Sequence, residues 1–226
     1  MAAQVLLAWS GGKDAAWALH VLRQRDDVEV VGLLTTVTTE YQRASMQGIR
    51  VEVLRAQAAA VGLPLLEAGI PAHCDNGTYD AAMARALAEA ASRWPRLRTA
   101  AFGDLFLADI RAYRAQRLAA AGWELLTPLF DADTAALARQ MQAGGLRAHL
   151  CCVDTRQLDA GMAGRAFDEH LLRELPAGVD PCGENGEFHT CVSAGPMFAA
   201  PLDLRRGDTV LRDERFAYTD FNLAPV

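Results

Sequence analysis

Residues 5–14 read Val-Leu-Leu-Ala-Trp-Ser-Gly-Gly-Lys-Asp. An apolar run ends here in a serine, two glycines, a lysine and an aspartate. The segment that follows has no Gly or Pro before Gly32 and fits a helix. A glycine pair between a buried strand and a helix leaves bare backbone N–H groups at the helix N-terminus. That geometry binds anions, phosphates above all. Spacing excludes two common phosphate loops. A Walker loop needs Gly where Leu7 stands and Ser or Thr where Asp14 stands, and the fingerprint G-x-G-x-x-G is absent. The same residues also fit a helix cap, with Ser10 or Asp14 as the capping side chain. Lys13 favours the phosphate loop. It is the only lysine in a chain that otherwise uses arginine, and a compact, mobile charge suits a tight cradle better than a planar fork. At about 4 Å and an effective dielectric of about 20, the attraction is about 4 kcal/mol per unit charge pair.

Working outward, short apolar runs recur at 5–8, 28–34, 63–68, 99–102 and 123–129. Between them lie Ala/Leu/Arg segments at 13–25, 49–61, 78–93 and 109–121, each of which fits a helix. In the last, Ile110, Tyr113, Arg114, Arg117 and Leu118 keep the spacing of a two-faced helix, and Gly122 stops it. Such alternation predicts a parallel sheet with helices on both faces, and continuously apolar strands fit burial on both sides. After about residue 130 the rhythm changes. A helix at 133–143, a strand at 147–153 and a short helix near 165–174 precede a stretch rich in Gly, Pro and β-formers, which reads as short antiparallel strands. The fold class expected is α/β, with a nucleotide-type parallel-sheet domain over 1–130 and a smaller C-terminal α+β domain over 131–226.

The chain has 226 residues, of which 51% are hydrophobic and 22% charged, an ordinary globular composition. Its net charge of −6 argues against a protein that coats nucleic acid, where affinity comes from neutralising phosphates. The five cysteines, at 74, 151, 152, 182 and 191, include no C-x-x-C pair, so free, mostly buried thiols are expected. Cys182 and Cys191 do not have a common zinc spacing with His189, and no metal site is assigned. Cys151 and Cys152 read as packing residues, and His73 and Cys74 as an exposed loop near the cleft. No secretory leader and no membrane-spanning run is evident, so a cytoplasmic protein is expected.

The stretch V-L-L-A-W-S-G-G-K-D resembles the PP-loop of the ATP pyrophosphatases, whose pattern is S-G-G-x-D-S. Ala15 stands where that pattern has its last Ser, so one phosphate-facing hydroxyl is missing. A second signature, D-P-C-G-E-N-G-E-F-H-T at 180–190, resembles the G-E-x-G-E-[FY]-H-T motif of the diphthine–ammonia ligase family. Read by itself it is a polar turn entering a strand. Gly183 and Gly186 permit a tight turn, Glu184 and Glu187 supply two carboxylates, and His189 and Thr190 follow. F-G-D-L at 102–105, C-V-D-T at 152–155 and S-M-Q-G-I-R at 45–50 are similar to that family's inner motifs, with Gln47 where a His is expected.

The resemblance implies a Rossmann-like PP-loop domain that binds adenine nucleotide. It implies an ATP-dependent ligase that adenylates a carboxylate and releases pyrophosphate; ammonia then displaces AMP to leave an amide. The acceptor would be the carboxylate of diphthine, a modified histidine on a translation elongation factor. Carried onto this chain, Ser10, Gly11, Gly12 and Lys13 would hold the departing phosphates. Asp14 would orient the loop or help hold Mg²⁺, and Gly103 and Asp104 would lie at the strand edge beside ATP. Gly183, Glu184, Asn185, Gly186, Glu187 and Thr190 would face the acceptor. Lys13, Asp14, Glu184, Glu187 and His189 are the catalytic candidates. A carboxylate there would either face the trimethylammonium group of diphthine or hold ammonium and accept its proton. Amidation of another carboxylate, on a protein or a small molecule, fits the same residues. A PP-loop enzyme acting on tRNA and a non-catalytic nucleotide sensor remain as alternatives. Oligomeric state is open, a homo-oligomer included.

Overall fold

The computed structural model describes residues 2–225. Strand β1 (Ala3–Ala8) leads into α1 (Lys13–Arg23), β2 (Val28–Thr38), β3 (Arg43–Ala44), α2 (Val51–Val61), β4 (Leu65–Ile70), α3 (Asn76–Arg93), β5 (Thr99–Ala101), α4 (Ala108–Ala120) and β6 (Glu124–Leu126). β1 pairs in parallel with β2 on one side and β5 on the other. β4 adds to β2 and β6 to β5, both in parallel. Only β3 is antiparallel, extending β2 through Val37–Ala44 and Thr38–Arg43. The chain works outward from β1 to β4, then α3 carries it back to β5. The reversal leaves a crevice beyond the C-terminal ends of β1 and β5, the place where ligands bind in open α/β sheets.

Strand alternation explains the layers. Val5 and Leu7 pack on one face with Leu19, Leu22 and Leu54 of α1 and α2. Leu6, Leu34 and Ala100 pack on the other with Leu87 and Ala90 of α3 and Leu118 of α4. The sheet is therefore covered on both faces, as the unbroken apolar runs require.

After α5 (Thr134–Ala143), the chain builds a second sheet from β7 (Arg147–Asp154), β8 (Phe188–Ala194), β9 (Leu204–Arg212) and β10 (Phe216–Leu223). It is antiparallel throughout, in the order β8-β7-β10-β9. A 3-10 turn at Ala160–Met162 and α6 (Glu169–Glu174) join its strands. This sheet packs on the α1/α2 side. Leu150, Val153, Phe188 and Val192 share one core with the first sheet.

Several element bounds differ from expectation for local reasons. β2 runs on to Thr38 because Thr35, Thr36 and Val37 find partners in β4. β4 begins at Leu65, since Pro64 has no N–H to donate and its carbonyl accepts from Leu33. β6 stops at Leu126, close before Pro128. α6 starts only at Glu169. Ala166 is bridged to His149, the Phe167 N–H donates to Ala148, and Asp168 caps the helix at the Leu171 N–H. Residues 195–203, within the C-terminal stretch expected to hold turns and short antiparallel strands, are irregular until β9 begins. No helix among the described residues is long and apolar enough to cross a membrane.

Candidate functional site

The loop between β1 and α1 lies at the sheet's reversal point. Gly11 has φ +78°, the left-handed region that favours glycine. Its carbonyl accepts twice, from the Val192 N–H and from Gln57 Nε2, each at 3.0 Å. Gln57 also donates to the Val192 carbonyl at 2.7 Å and accepts from Trp9 Nε1 at 3.1 Å. Gly12 is the N-cap of α1, with no side-chain cap. Neither Ser10 nor Asp14 caps the helix, so the cap reading of this stretch does not hold. Ser10 Oγ instead accepts from the Gly12 N–H at 3.3 Å. The Lys13 N–H donates to Thr190 Oγ1 at 3.0 Å, which joins the two sequence signatures directly.

Lys13 is only 2% exposed. Its ammonium donates to both carboxylate oxygens of Asp14, at 3.0 and 2.9 Å, and to the Cys182 carbonyl. The rings of Phe167 and Phe188 lie 5.7 and 5.4 Å away. Burial alone would lower its pKa, but Asp14, with help from Glu184, raises it and keeps the charge. The lone lysine's charge is thus engaged by the protein itself. It ties the loop to the 180–190 segment.

That segment enters β8 through two left-handed glycines, Gly183 (φ +70°) and Gly186 (φ +82°). Asp180 organises it. One carboxylate oxygen accepts from the Cys182 N–H at 2.9 Å and the Glu184 N–H at 3.2 Å, and the other from Thr134 Oγ1 at 2.6 Å. The two glutamates part company. Glu187 is buried, with Oε1 accepting from the Asp180 N–H at 2.9 Å and Asn185 Nδ2 at 3.1 Å. It struts the loop from within. Glu184 turns outward, and its Oε1 accepts from the Leu105 N–H at 2.8 Å. Burial, with Asp14 and Asp104 nearby, raises its pKa to about 7 despite that hydrogen bond. His189 is held on β8, where burial and the Lys13 charge lower its pKa to about 4, so it is neutral near pH 7.

The loop after β5 closes the third side. A Cβ on Gly103 would sit 2.8 Å from the Asp14 carbonyl carbon, so this close approach requires glycine. Asp104 Oδ1 pairs with Arg114, whose guanidinium lies 4.5 Å from the Phe102 ring centroid. Among the described residues Asp104 Oδ2 is buried without a hydrogen-bond partner. The three loops surround a cleft of about 1120 Å³, just above the usual size of a small-molecule site. Every expected site residue except Gly11 and Glu187 lines it.

The remaining motifs mostly support this cleft. Ser45, Met46 and Gln47 form part of its wall. They are held by Arg43 and Arg50, which pair with Asp220 of β10 at 2.8 and 2.6 Å. Asp154 of C-V-D-T is buried, and the Arg215 guanidinium beside it holds its carboxyl well below the usual range. Its N–H donates to the Glu187 carbonyl at 2.9 Å, which buttresses the 180–190 loop from below. Cys74 reaches the cleft and His73 does not. Burial pushes Cys182 and Cys191 up to about 12, so both are thiols rather than thiolates. Among the described residues no group of three or more His, Cys, Asp or Glu side chains is placed to hold a metal ion.

Sequence reasoning missed Gln57, Asp180, Phe167 and Arg114. Gln57 had a readable signal. It falls on the apolar face of α2 with Val53, Leu54 and Val61, where a polar side chain needs partners. Asp180 opens the quoted segment but looks like any turn residue.

Residues 3–92 match the family described as diphthamide synthase N-terminal domain, and residues 133–219 match the diphthamide synthase C-terminal domain. The matched regions carry the 10–14 loop and the 180–190 loop respectively. Between them lie β5, α4 and β6. No curated protein matches the chain.

Proposed function

The chain belongs to the diphthamide synthase family, and we propose from this premise that it is an ATP-dependent amide ligase that converts a diphthine-like carboxylate to its amide. Family membership supports a role in diphthamide biosynthesis. The observation that carries the finer reading is the junction of the two loops. The 3.0 Å hydrogen bond from the Lys13 N–H to Thr190 Oγ1 brings the 10–14 loop, which would take the nucleotide, against the segment that would take the acceptor.

In this reading residues 1–130 bind ATP and residues 131–226 supply the acceptor side. Gly12 lines the cleft, and a Cβ there would lie 3.1 Å from the Thr190 carbonyl oxygen, so glycine lets the loop sit close against β8. An acceptor carboxylate oxygen attacks the α-phosphorus, the bond to the β-bridging oxygen breaks, and pyrophosphate leaves. Ammonia then attacks the acyl carbon, AMP leaves with its electron pair, and the nitrogen sheds one proton. In this reading Glu184, which lines the cleft, accepts that proton, since a carboxylate with a pKa of about 7 is a base matched to neutral pH. His189 stays neutral and offers hydrogen bonds rather than charge. Glu187 and the Lys13 ammonium hold the loops in register.

Asp104 is the residue that fits a share in Mg²⁺, because its Oδ2 lacks a protein partner while both oxygens of Asp14 are taken by Lys13. One such carboxylate suffices for an ion that is otherwise held by water and phosphate, and Mg²⁺ would supply neutralisation of phosphate charge. The test is multiple-turnover pyrophosphate release from ATP, measured with and without ammonium and with and without a diphthine-bearing acceptor protein. Release that depends on both supports the reading. Formation of ADP in place of AMP refutes it.

A further inference from the structure

Gln57 does not itself line the cleft, yet its amide makes three hydrogen bonds at full burial. Its orientation is unambiguous. Trp9 Nε1 can only donate, so the Gln57 oxygen must face Trp9 and the amide NH₂ must face the carbonyls of Gly11 and Val192. The consequence lies one bond further on. No peptide in the described chain is cis, so the Gly11 carbonyl and the Gly12 N–H point in opposite directions across one planar unit. Pinning the carbonyl inward, toward α2 and β8, turns the Gly12 N–H outward toward the cleft. There its only hydrogen bond among the described residues is the long one to Ser10 Oγ, 3.3 Å, which leaves it open to a stronger acceptor.

We propose that Gln57 is a positioning residue for phosphate recognition: by holding the Gly11 carbonyl it aims the Gly12 N–H at the β- and γ-phosphates of the nucleotide. The assignment rests on the reading of the cleft as an ATP site. It also explains the residue type. Leucine or methionine fills the same volume but supplies no donor. Glutamate keeps the shape but, when ionised, sets a carboxylate about 3 Å from two carbonyl oxygens.

The test is calorimetric titration of wild type, Gln57→Met and Gln57→Glu with ATP and, separately, with AMP, each protein first checked by thermal melting. AMP lacks the phosphates that the Gly12 N–H would meet. The Met variant should bind ATP about tenfold more weakly and the Glu variant more weakly still, the worth of one misaligned hydrogen bond. AMP affinity should change less than about twofold, within the scatter of distant substitutions. Lowering the pH toward 5 should restore part of ATP binding to the Glu variant alone, because a protonated carboxyl regains one donor. A variant that binds ATP as wild type does, or that loses ATP and AMP alike, overturns the assignment. If the variants fail to fold, wild type decides: the Gly12 amide resonance should shift when ATP is added, and an unmoved Gly12 amide overturns the assignment. A wild type that binds ATP but makes no AMP would sink the ligase reading and leave this inference standing, since the inference is read from binding alone.

Discussion

Replacing Glu184 by Gln should stabilise the protein above pH 7 while it removes amide formation. The carboxyl accepts from the Leu105 N–H at 2.8 Å, and a glutamine oxygen can do the same without change of shape. What changes is the charge. Burial, aided by Asp14 and Asp104, raises the Glu184 pKa from an ordinary 4.5 to about 7. A raised carboxyl pKa means that the folded protein binds the proton more tightly than the unfolded chain. The resulting stability is fully present below pH 4.5 and is lost as pH rises through about 7. At about 1.4 kcal/mol per pH unit, the loss would be about 3.5 kcal/mol. The group is partly exposed, and solvent screening reduces this to about 1–2 kcal/mol. The glutamine is neutral at every pH and suffers no such loss. Urea unfolding of both proteins at pH 4.5 and pH 8.5 should therefore show the variant gaining about 1–2 kcal/mol on wild type between the two. At pH 8.5, where the wild-type carboxylate is ionised, the variant's amide-forming turnover should be lower by a factor on the order of 10²–10⁴. Glu187→Gln is the comparison. That side chain lies outside the cleft and a glutamine oxygen can still accept from the Asp180 N–H and Asn185 Nδ2, so turnover should fall far less than in the Glu184 variant, while the change inside a buried network should cost about 1–3 kcal/mol. A Glu184 variant whose stability advantage shrinks with rising pH, or whose turnover is normal, refutes the reasoning.

Two further substitutions probe how the loops are held. Lys13→Met should cost about 1–3 kcal/mol in urea unfolding, because the partly exposed Asp14 carboxylate and the Cys182 carbonyl lose their donor, and Lys13→Arg should fail to restore stability, since a site 2% exposed and walled by two phenylalanine rings has no room for the fork. Gly103→Ala should lower stability by about 1–3 kcal/mol and weaken ATP binding, because its Cβ meets backbone of α1 at 2.8 Å; melting and calorimetry read the two effects.

The parts of the fold written in short-range pattern were legible. β1, the 10–14 loop and α1 follow from an apolar run, two glycines and a helical period, and all three need only neighbouring residues. The end of β2 was not legible, because Thr35, Thr36 and Val37 become strand by pairing with β4, thirty residues downstream. The site shows the same division. Glu184 and Glu187 are equivalent on paper, both carboxylates in one glycine-rich turn. The left-handed angles at Gly183 and Gly186 send one to the cleft and fold the other inward, and nothing in residue type records that choice. Lys13 stood out by its uniqueness, but its partners, the Cys182 carbonyl and the rings of Phe167 and Phe188, come from the second sheet's region and become visible only once the loops meet.

The central claim is that an acceptor carboxylate is activated by direct attack on the α-phosphorus of ATP, and oxygen transfer tests it most directly. The acceptor carboxylate would be labelled with ¹⁸O and converted with ATP and ammonium, and the nucleotide and pyrophosphate products separated and weighed by mass spectrometry. The account predicts AMP carrying one ¹⁸O from the acceptor and unlabelled pyrophosphate, in amounts matching the amide formed. Label in phosphate or pyrophosphate, or amide formed alongside unlabelled AMP, would contradict it.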